Sequence, residues 1–189
     1  RSSAASDVYK RQASLRERLD MIHHFLSQND LTPDEVRSLL IRTAAMKRIR
    51  YSRDLQDRTL VMFFEKSSTR TRLSFEIAMT QLGGHAVYLD RDSSQLSRGE
   101  SIRDTAGVVS RYADLIMARV YAHETVEELA AYAGVPVING LSDREHPCQT
   151  LADLFTVQER KGRVEGVCIG YLGDGDNNVT HSLMLGATQ

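Results

Sequence analysis

The chain has 189 residues, with 24 Lys and Arg against 25 Asp and Glu, 41% hydrophobic residues, three prolines and no tryptophan, a profile of an ordinary globular protein long enough to bury a core. A formal net charge of -1 provides no polybasic footprint for nucleic acid or an anionic membrane, so neither partner is expected. The uncharged apolar stretches are short, as in Thr59 to Phe64, far below the roughly 20 residues of a membrane span, and no apolar leader follows a charged start; the expected location is the cytoplasm.

In chain order, the run from Ser2 to Gln12 reads as a sequencing adapter translated in one frame, so residues 1–12 are expected to be a non-native tail, with a natural N-terminal tail as the alternative. Thr32-Pro33-Asp34-Glu35 combines a cap, a proline at the first helical position and a Glu three residues after the cap, and Val36, Leu39, Leu40, Thr43 and Met46 continue at helical spacing to about Arg50. Short β-prone runs then recur at Thr59–Phe64, Ala86–Leu89, Leu115–Val120, Val135–Ile138 and Val167–Leu172, each bounded by Gly, Asp or charged residues. Helical patterns lie between them, at Ser68–Leu82, Glu100–Tyr112, His123–Ala133 and His146–Lys161, three of them ending at glycine. Helical character returns near Gly186. Alternating strand and helix predicts an α/β fold, a parallel sheet flanked by helices. The pattern restarts after Gly162 and Gly166 with a fresh strand and a glycine-rich turn, which places the domain border at the helix from His146 to Lys161.

Ligands of parallel α/β sheets bind beyond the carboxyl ends of the strands, so the polar segments after each run are the candidate site. Ser67, Ser68, Thr69, Arg70, Thr71 and Arg72 follow the first strand at a helix start. Unpaired amides, positive potential and guanidinium groups there suit a phosphate. The same residues also serve as an ordinary cap and a solvated arginine pair, and this segment alone leaves both open. Arg119 ends the third strand, and His146, Pro147, Cys148 and Gln149 open a helix after the fourth. His146 and Gln149 can both reach a small carbonyl group, or be a cap and a surface carboxamide. Cys148 and Cys168 form no C-x-x-C pair and no tetrahedral His/Cys spacing, so free thiols and no structural metal are expected. Gly170-Tyr171-Leu172-Gly173-Asp174-Gly175 is not G-x-G-x-x-G, which argues against a dinucleotide oxidoreductase.

Taken together, Phe64 to Glu76, Ser94 to Ser101, Asn139-Gly140-Leu141, His146-Pro147-Cys148-Gln149 and Gly173 to Asn178 resemble the aspartate/ornithine carbamoyltransferase family, and within it the ornithine carbamoyltransferases, in order from about Leu19 onward. The resemblance implies a carbamoyl-phosphate-binding domain over residues 13–150, and over residues 151–189 a linking helix and the truncated start of an ornithine-binding, Rossmann-like α/β domain. It implies that Ser68, Thr69, Arg70 and Thr71 bind the phosphate of carbamoyl phosphate, that Arg119, His146 and Gln149 hold its carbamoyl end, and that Gln95 contributes across a subunit boundary in a homotrimer. Arg70, Arg119 and His146 are the implied catalytic residues, and no cofactor is implied. Asn178 matches a position contacting the amino-acid end of L-ornithine. An aspartate carbamoyltransferase would carry Pro where Ser67 stands and a loop Lys near Arg98.

The implied activity is transfer of the carbamoyl group to the side-chain amine of L-ornithine, giving L-citrulline and phosphate, in the synthesis or breakdown of arginine. As a fragment the chain is expected to be nearly inactive. Alternatives are a carbamoyltransferase for putrescine or N-acetylornithine, and a non-catalytic phospho-ligand-binding module that keeps the fold. Arg119, with Thr71 and His146, would oppose the charge that develops on the carbonyl oxygen, each such donor contributing about 3 to 4 kcal/mol. The nucleophile is the acceptor amine, so Cys148 is expected to be a small buried residue.

Overall fold

A computed structural model describes residues 23–189; the adapter-like residues 1–12 lie outside the described residues. The first helix, α1 (Pro33–Arg48), starts as its sequence dictates: Thr32 accepts from the Glu35 amide while Glu35 accepts from the Thr32 amide, with Pro33 in the first turn. Four strands follow, β1 (Thr59–Phe64), β2 (His85–Asp90), β3 (Leu115–Arg119) and β4 (Val137–Leu141), alternating with α2 (Thr69–Gln81), α3 (Ile102–Val109), α4 (His123–Tyr132) and α5 (Pro147–Lys161). All pairings are parallel and the order across the sheet is β2-β1-β3-β4. Phe25 adds a single parallel bridge to Ile138 at the β4 edge.

Both faces of β1 are buried, which is why it reads as a continuous apolar run and not as an alternation. Phe63 packs on one side with Ala106 of α3 and Val126 and Leu129 of α4. Leu60, Met62 and Phe64 pack on the other with Phe75 and Met79 of α2. A third cluster, Val36, Leu40 and Leu154, joins α1 to α5. The parallel sheet flanked by helices is thus the one expected from the sequence. Strand β4 is displaced from its predicted span. It starts at Val137, because Pro136 has no N–H for the ladder and only accepts from Ile116, and it runs on through Leu141.

The segment Val167–Leu172, expected as a strand, is not one. It pairs with no strand among the described residues, and Ile169, Tyr171 and Leu172 are exposed. A run of apolar residues becomes a strand only where a neighbour takes its amides and carbonyls, and the described sheet ends at β4 and Phe25. After this segment comes α6 (Asn178–Ala187), capped by Asn177, whose side chain accepts from the Val179 and Thr180 amides. Among the described residues no helix is long and apolar enough to cross a membrane, and no group of three or more His, Cys, Asp or Glu side chains is placed to hold a metal.

Candidate active site

The strand order fixes where a ligand can enter. The chain leaves β1 for β2 on one side and returns to β3 on the other, so the crevice between the carboxyl ends of β1 and β3 is the switch point of the sheet. Phe64 and Arg119 are in register there, and the Glu65 amide donates to the Arg119 carbonyl at 2.9 Å. Above them lies a cleft of about 630 Å³ between the start of α2, with Ser68, Arg70 and Thr71, and the start of α5, with His146, Cys148 and Gln149. Arg119, Gly140 and Leu141 form its floor. An open groove of about 580 Å³ over α3 and α4 contains none of the candidate residues.

The α2 start is built to leave donors free. Ser68 caps the helix: its hydroxyl accepts from the Thr71 amide at 3.3 Å and donates to Thr71 Oγ1 at 3.1 Å. Thr71 Oγ1 also accepts from Arg119 Nη1 at 3.3 Å, so its own proton remains to be given to a ligand. The amides of Thr69 and Arg70, at the first two helical positions, have no intrahelical acceptor. The two arginines of this segment are not equivalent. Arg72 is paired with Glu76 at 3.2 Å and stacked over Tyr88, which itself packs on Phe64. Arg70 is on the cleft wall. The acid of the segment, Glu65, accepts from Arg91 at 3.1 Å and from the Tyr121 amide at 3.0 Å.

A bulge sets the floor. Ala118 pairs with Asn139 but Arg119 pairs with Leu141, so Gly140 is the additional residue on β4. A Cβ at Gly140 would come within 2.5 Å of Met117 Sδ and 3.2 Å of the Ala118 carbonyl. Glycine is required by this close approach. Arg119 Nε is buried without a hydrogen-bond partner. Burial, and next the charge of Arg70, hold Arg119 below the ordinary guanidinium value. Two guanidinium groups on one cleft, with the charge of Arg70 acting on Arg119 and neither paired with a carboxylate among the described residues, describe a site waiting for an anion.

Opposite them, His146 precedes α5, with its Nδ1 buried and unpartnered. Burial first, then the charge of Arg119, partly offset by Asp153, lowers its pKa from 6.5 to about 4. Its imidazole is therefore neutral at neutral pH. Gln149 donates Nε2 to Asp153 at 2.9 Å, which leaves its Oε1 as the free acceptor. Burial pushes the Cys148 thiol up to about 12, and its Sγ donates to the Asn139 carbonyl; it is no thiolate nucleophile.

The lowered His146 value has a consequence for stability. Between about pH 6.5 and about pH 4 the unfolded chain binds a proton at this site that the folded chain does not, so stability falls as the pH is lowered through that window. A shift of this size is worth about 3 kcal/mol in a dry interior, and about half of that for a ring partly open to solvent. Urea unfolding at pH 7 and at about pH 4.5 should show a loss about 1 kcal/mol smaller in His146→Asn than in the parent chain. Equal losses in the two would show that the ring is not held neutral.

Not every expected site residue reaches this cleft. Thr69 is exposed beside it. Gln95 is exposed in the short turn Gln95–Arg98 and is not on the wall. Asn178, the first residue of α6, donates to the Ser142 carbonyl at 2.6 Å and is likewise off the wall. Conversely, Ser74, Phe75, Gly140, Leu141 and Ala152 line the cleft without having been given a role; the first four lie within segments that carry the family resemblance, and Ala152 is one turn beyond Cys148 and Gln149.

Residues 23–159 match the family described as aspartate/ornithine carbamoyltransferase, carbamoyl-P binding domain. The chain is 57% identical over 169 residues to the ornithine carbamoyltransferase of Pyrococcus horikoshii, a match covering 87% of this chain and 53% of the relative. The structure of the Pyrococcus furiosus ornithine carbamoyltransferase superposes with a TM-score of 0.82 at 54% identity, over 88% of this chain and 54% of that one. The catalytic subunit of M. jannaschii aspartate transcarbamoylase also superposes at 0.82, at 34% identity, over 88% of this chain and 57% of that one. The chain thus spans about half the length of the relatives it matches. With its switch-point cleft formed by the same segments that carry the match, this chain belongs to the aspartate/ornithine carbamoyltransferase family.

Proposed function

We propose that the chain is the carbamoyl-phosphate half of an ornithine carbamoyltransferase, which transfers the carbamoyl group of carbamoyl phosphate to the side-chain amine of L-ornithine, giving L-citrulline and phosphate. The observation that carries this proposal is the pair of arginines, Arg70 and Arg119, on a cleft at the β1/β3 crossover with neutral His146 opposite. The phosphate sits against Arg70, the first amides of α2 and the hydroxyls of Ser68, Thr69 and Thr71. Arg119 and the Thr71 hydroxyl, with the His146 ring as a further donor, face the carbonyl oxygen, and Gln149 Oε1 accepts from the carbamoyl NH2. The uncharged amine attacks the carbonyl carbon, the oxygen gains charge that these donors oppose, and the bond to the phosphate oxygen breaks as the amine proton passes to the departing phosphate.

Residues 13–150 form the carbamoyl-phosphate-binding domain in this proposal, and residues 151–189 are a linking helix and the start of an ornithine-binding, Rossmann-like domain. That assignment accounts for Val167–Leu172, an apolar run whose sheet neighbours belong to that second domain, and leaves residues 1–12 as a non-native tail. Asn178 then moves from the Ser142 carbonyl toward the amino-acid end of ornithine. Gln95, exposed in this chain, serves the cleft of a neighbouring subunit in a homotrimer, and the assembly works in the cytoplasm. The aspartate transcarbamoylase subunit shares the fold equally well at lower identity, so the acceptor is decided by side chains; the higher identity to ornithine enzymes, with Ser67 and Arg98 in place, favours ornithine.

A chimera joining residues 13–189 to the C-terminal half of the Pyrococcus horikoshii relative tests the proposal. It should form citrulline from carbamoyl phosphate and ornithine, while the 189-residue chain alone forms almost none. A folded chimera without citrulline, or citrulline from the chain alone at the rate of the full-length relative, would contradict it.

A further inference from the structure

Glu145 is 5% exposed and is paired with no cation among the described residues. A buried carboxylate of this kind persists only when hydrogen bonds replace its water. Three do so, from distant parts of the chain: the Ser27 hydroxyl donates at 2.6 Å, the Gln28 amide at 3.0 Å and the Ser182 hydroxyl of α6 at 3.2 Å. The Ser182 oxygen in turn accepts from the His146 amide at 2.8 Å. Because its one proton is given to Glu145, its lone pairs are held toward His146.

His146 depends on this support. Its Nδ1 has no partner, so the ring is placed by its main chain and by packing. That main chain is fixed on one side by Ser182 and on the other by the first turn of α5, where the His146 carbonyl accepts from the Gln149 amide at 3.0 Å. The preceding turn is closed by Ser142, whose amide donates to the Glu145 carbonyl at 3.0 Å and whose hydroxyl contacts His123 Nδ1 at 2.8 Å. We infer that Glu145 is a positioning residue: through Ser182 it fixes the backbone of His146 and so the place of the imidazole in the cleft. What it supplies is acceptor geometry. Glutamine can reproduce it, with its oxygen on Gln28 and Ser182 and its amide on Ser27, whereas alanine cannot.

The charged and titratable groups that act on the ring are Arg119 and Asp153, and none of the variants below alters them. NMR titration of the His146 ring, assigned with His146→Asn, is the first readout and needs no ligand. The ring should titrate near its value of about 4 in the parent chain and in Glu145→Gln, and move up toward 6.5 in Glu145→Ala and Ser182→Ala as it is released into solvent. Ser182→Ala leaves Glu145 with Ser27 and Gln28, so it carries the test if Glu145→Ala fails to fold. Unchanged titration in Ser182→Ala would overturn the inference.

The consequence for binding rests on the proposed carbamoyl-phosphate site. Ser182→Ala and Glu145→Ala should weaken carbamoyl phosphate about 10-fold relative to inorganic phosphate, which does not need His146, and Glu145→Gln should restore the ratio. Parallel loss of both ligands would mark a merely structural role and overturn the positioning assignment. A parent chain with the expected His146 titration that binds no carbamoyl phosphate would refute the proposed function and leave the positioning role standing.

Discussion

Arg119→Met should weaken carbamoyl-phosphate binding by about 30- to 1000-fold, or about 2 to 4 kcal/mol, without weakening the fold. The guanidinium is expensive where it stands: its Nε is buried without a partner, and burial and Arg70 both act against its charge. Methionine fills most of the same volume without that penalty. The Thr71 hydroxyl loses one donor but keeps Ser68. Urea unfolding should therefore give a stability equal to or above that of the parent chain, while calorimetry shows the lost affinity. Gain in one quantity with loss in the other distinguishes a group retained for a ligand from one retained for the fold. A variant that binds as before, or that loses stability and binding together, would place Arg119 in the framework and not in the site.

Phe64→Ala should have the largest effect on stability, a loss of about 3 to 5 kcal/mol measured by urea or thermal unfolding. Phe64 is fully buried at the carboxyl end of β1, in register with Asp90 on one side and Arg119 on the other. Its ring lies 5.0 Å from that of Tyr88, centroid to centroid, and Tyr88 carries Arg72 at 4.2 Å. The ring thus lies under the site, between the sheet and α2. Removing it opens a cavity that the sheet cannot collapse to fill, because β1 is held by neighbours on both sides. Phe64→Leu should retain much of what Phe64→Ala loses. A cost below about 1 kcal/mol for alanine would mean that the α2 face of the sheet is loosely packed.

The central strands β1 and β3 were legible because both their faces are covered, so each stands out as a short apolar run between polar turns, whereas β2 at the sheet edge is only half-covered, with Val87 exposed. Thr59–Phe64 was placed to the residue, and the helix starts at Thr32, Ser68 and His123 followed from caps or from the end of the preceding strand. Val167–Leu172 shows the limit of that inference. Its composition is that of a strand, but pairing is a property of its neighbour, and no neighbour exists among the described residues. The extension of β4 through Leu141 was hidden for a similar reason: Asn139 and Gly140 follow the apolar run that ends at Ile138, and only the bulge opposite Ala118 and Arg119 makes them part of the sheet.

At the site, the residues that bear charge or hydroxyls on the strand ends were legible from topology, and Ser68, Arg70, Thr71, Arg119, His146 and Gln149 share one cleft. Topology alone does not separate the two neighbouring arginines: the family resemblance singles out Arg70, and the Glu76 and Tyr88 contacts of Arg72 are the physical reason that Arg70 is the one on the cleft wall. Glu145 was not legible, since nothing in the chain around it, beside Asp143 and Arg144, marks it as buried. Its burial depends on Ser27, Gln28 and Ser182, none of them near it in the chain.

The most direct measurement is a calorimetric titration of residues 13–189 with carbamoyl phosphate, alongside Arg70→Ala, with circular dichroism to establish that both are folded. Arg70 carries the charge of the phosphate cradle in the proposed site, so the parent chain should bind and the variant should lose at least about 30-fold in affinity. Two folded chains that bind alike, or a parent chain that does not bind, would contradict the assignment of the phosphate cradle to the α2 end of this cleft.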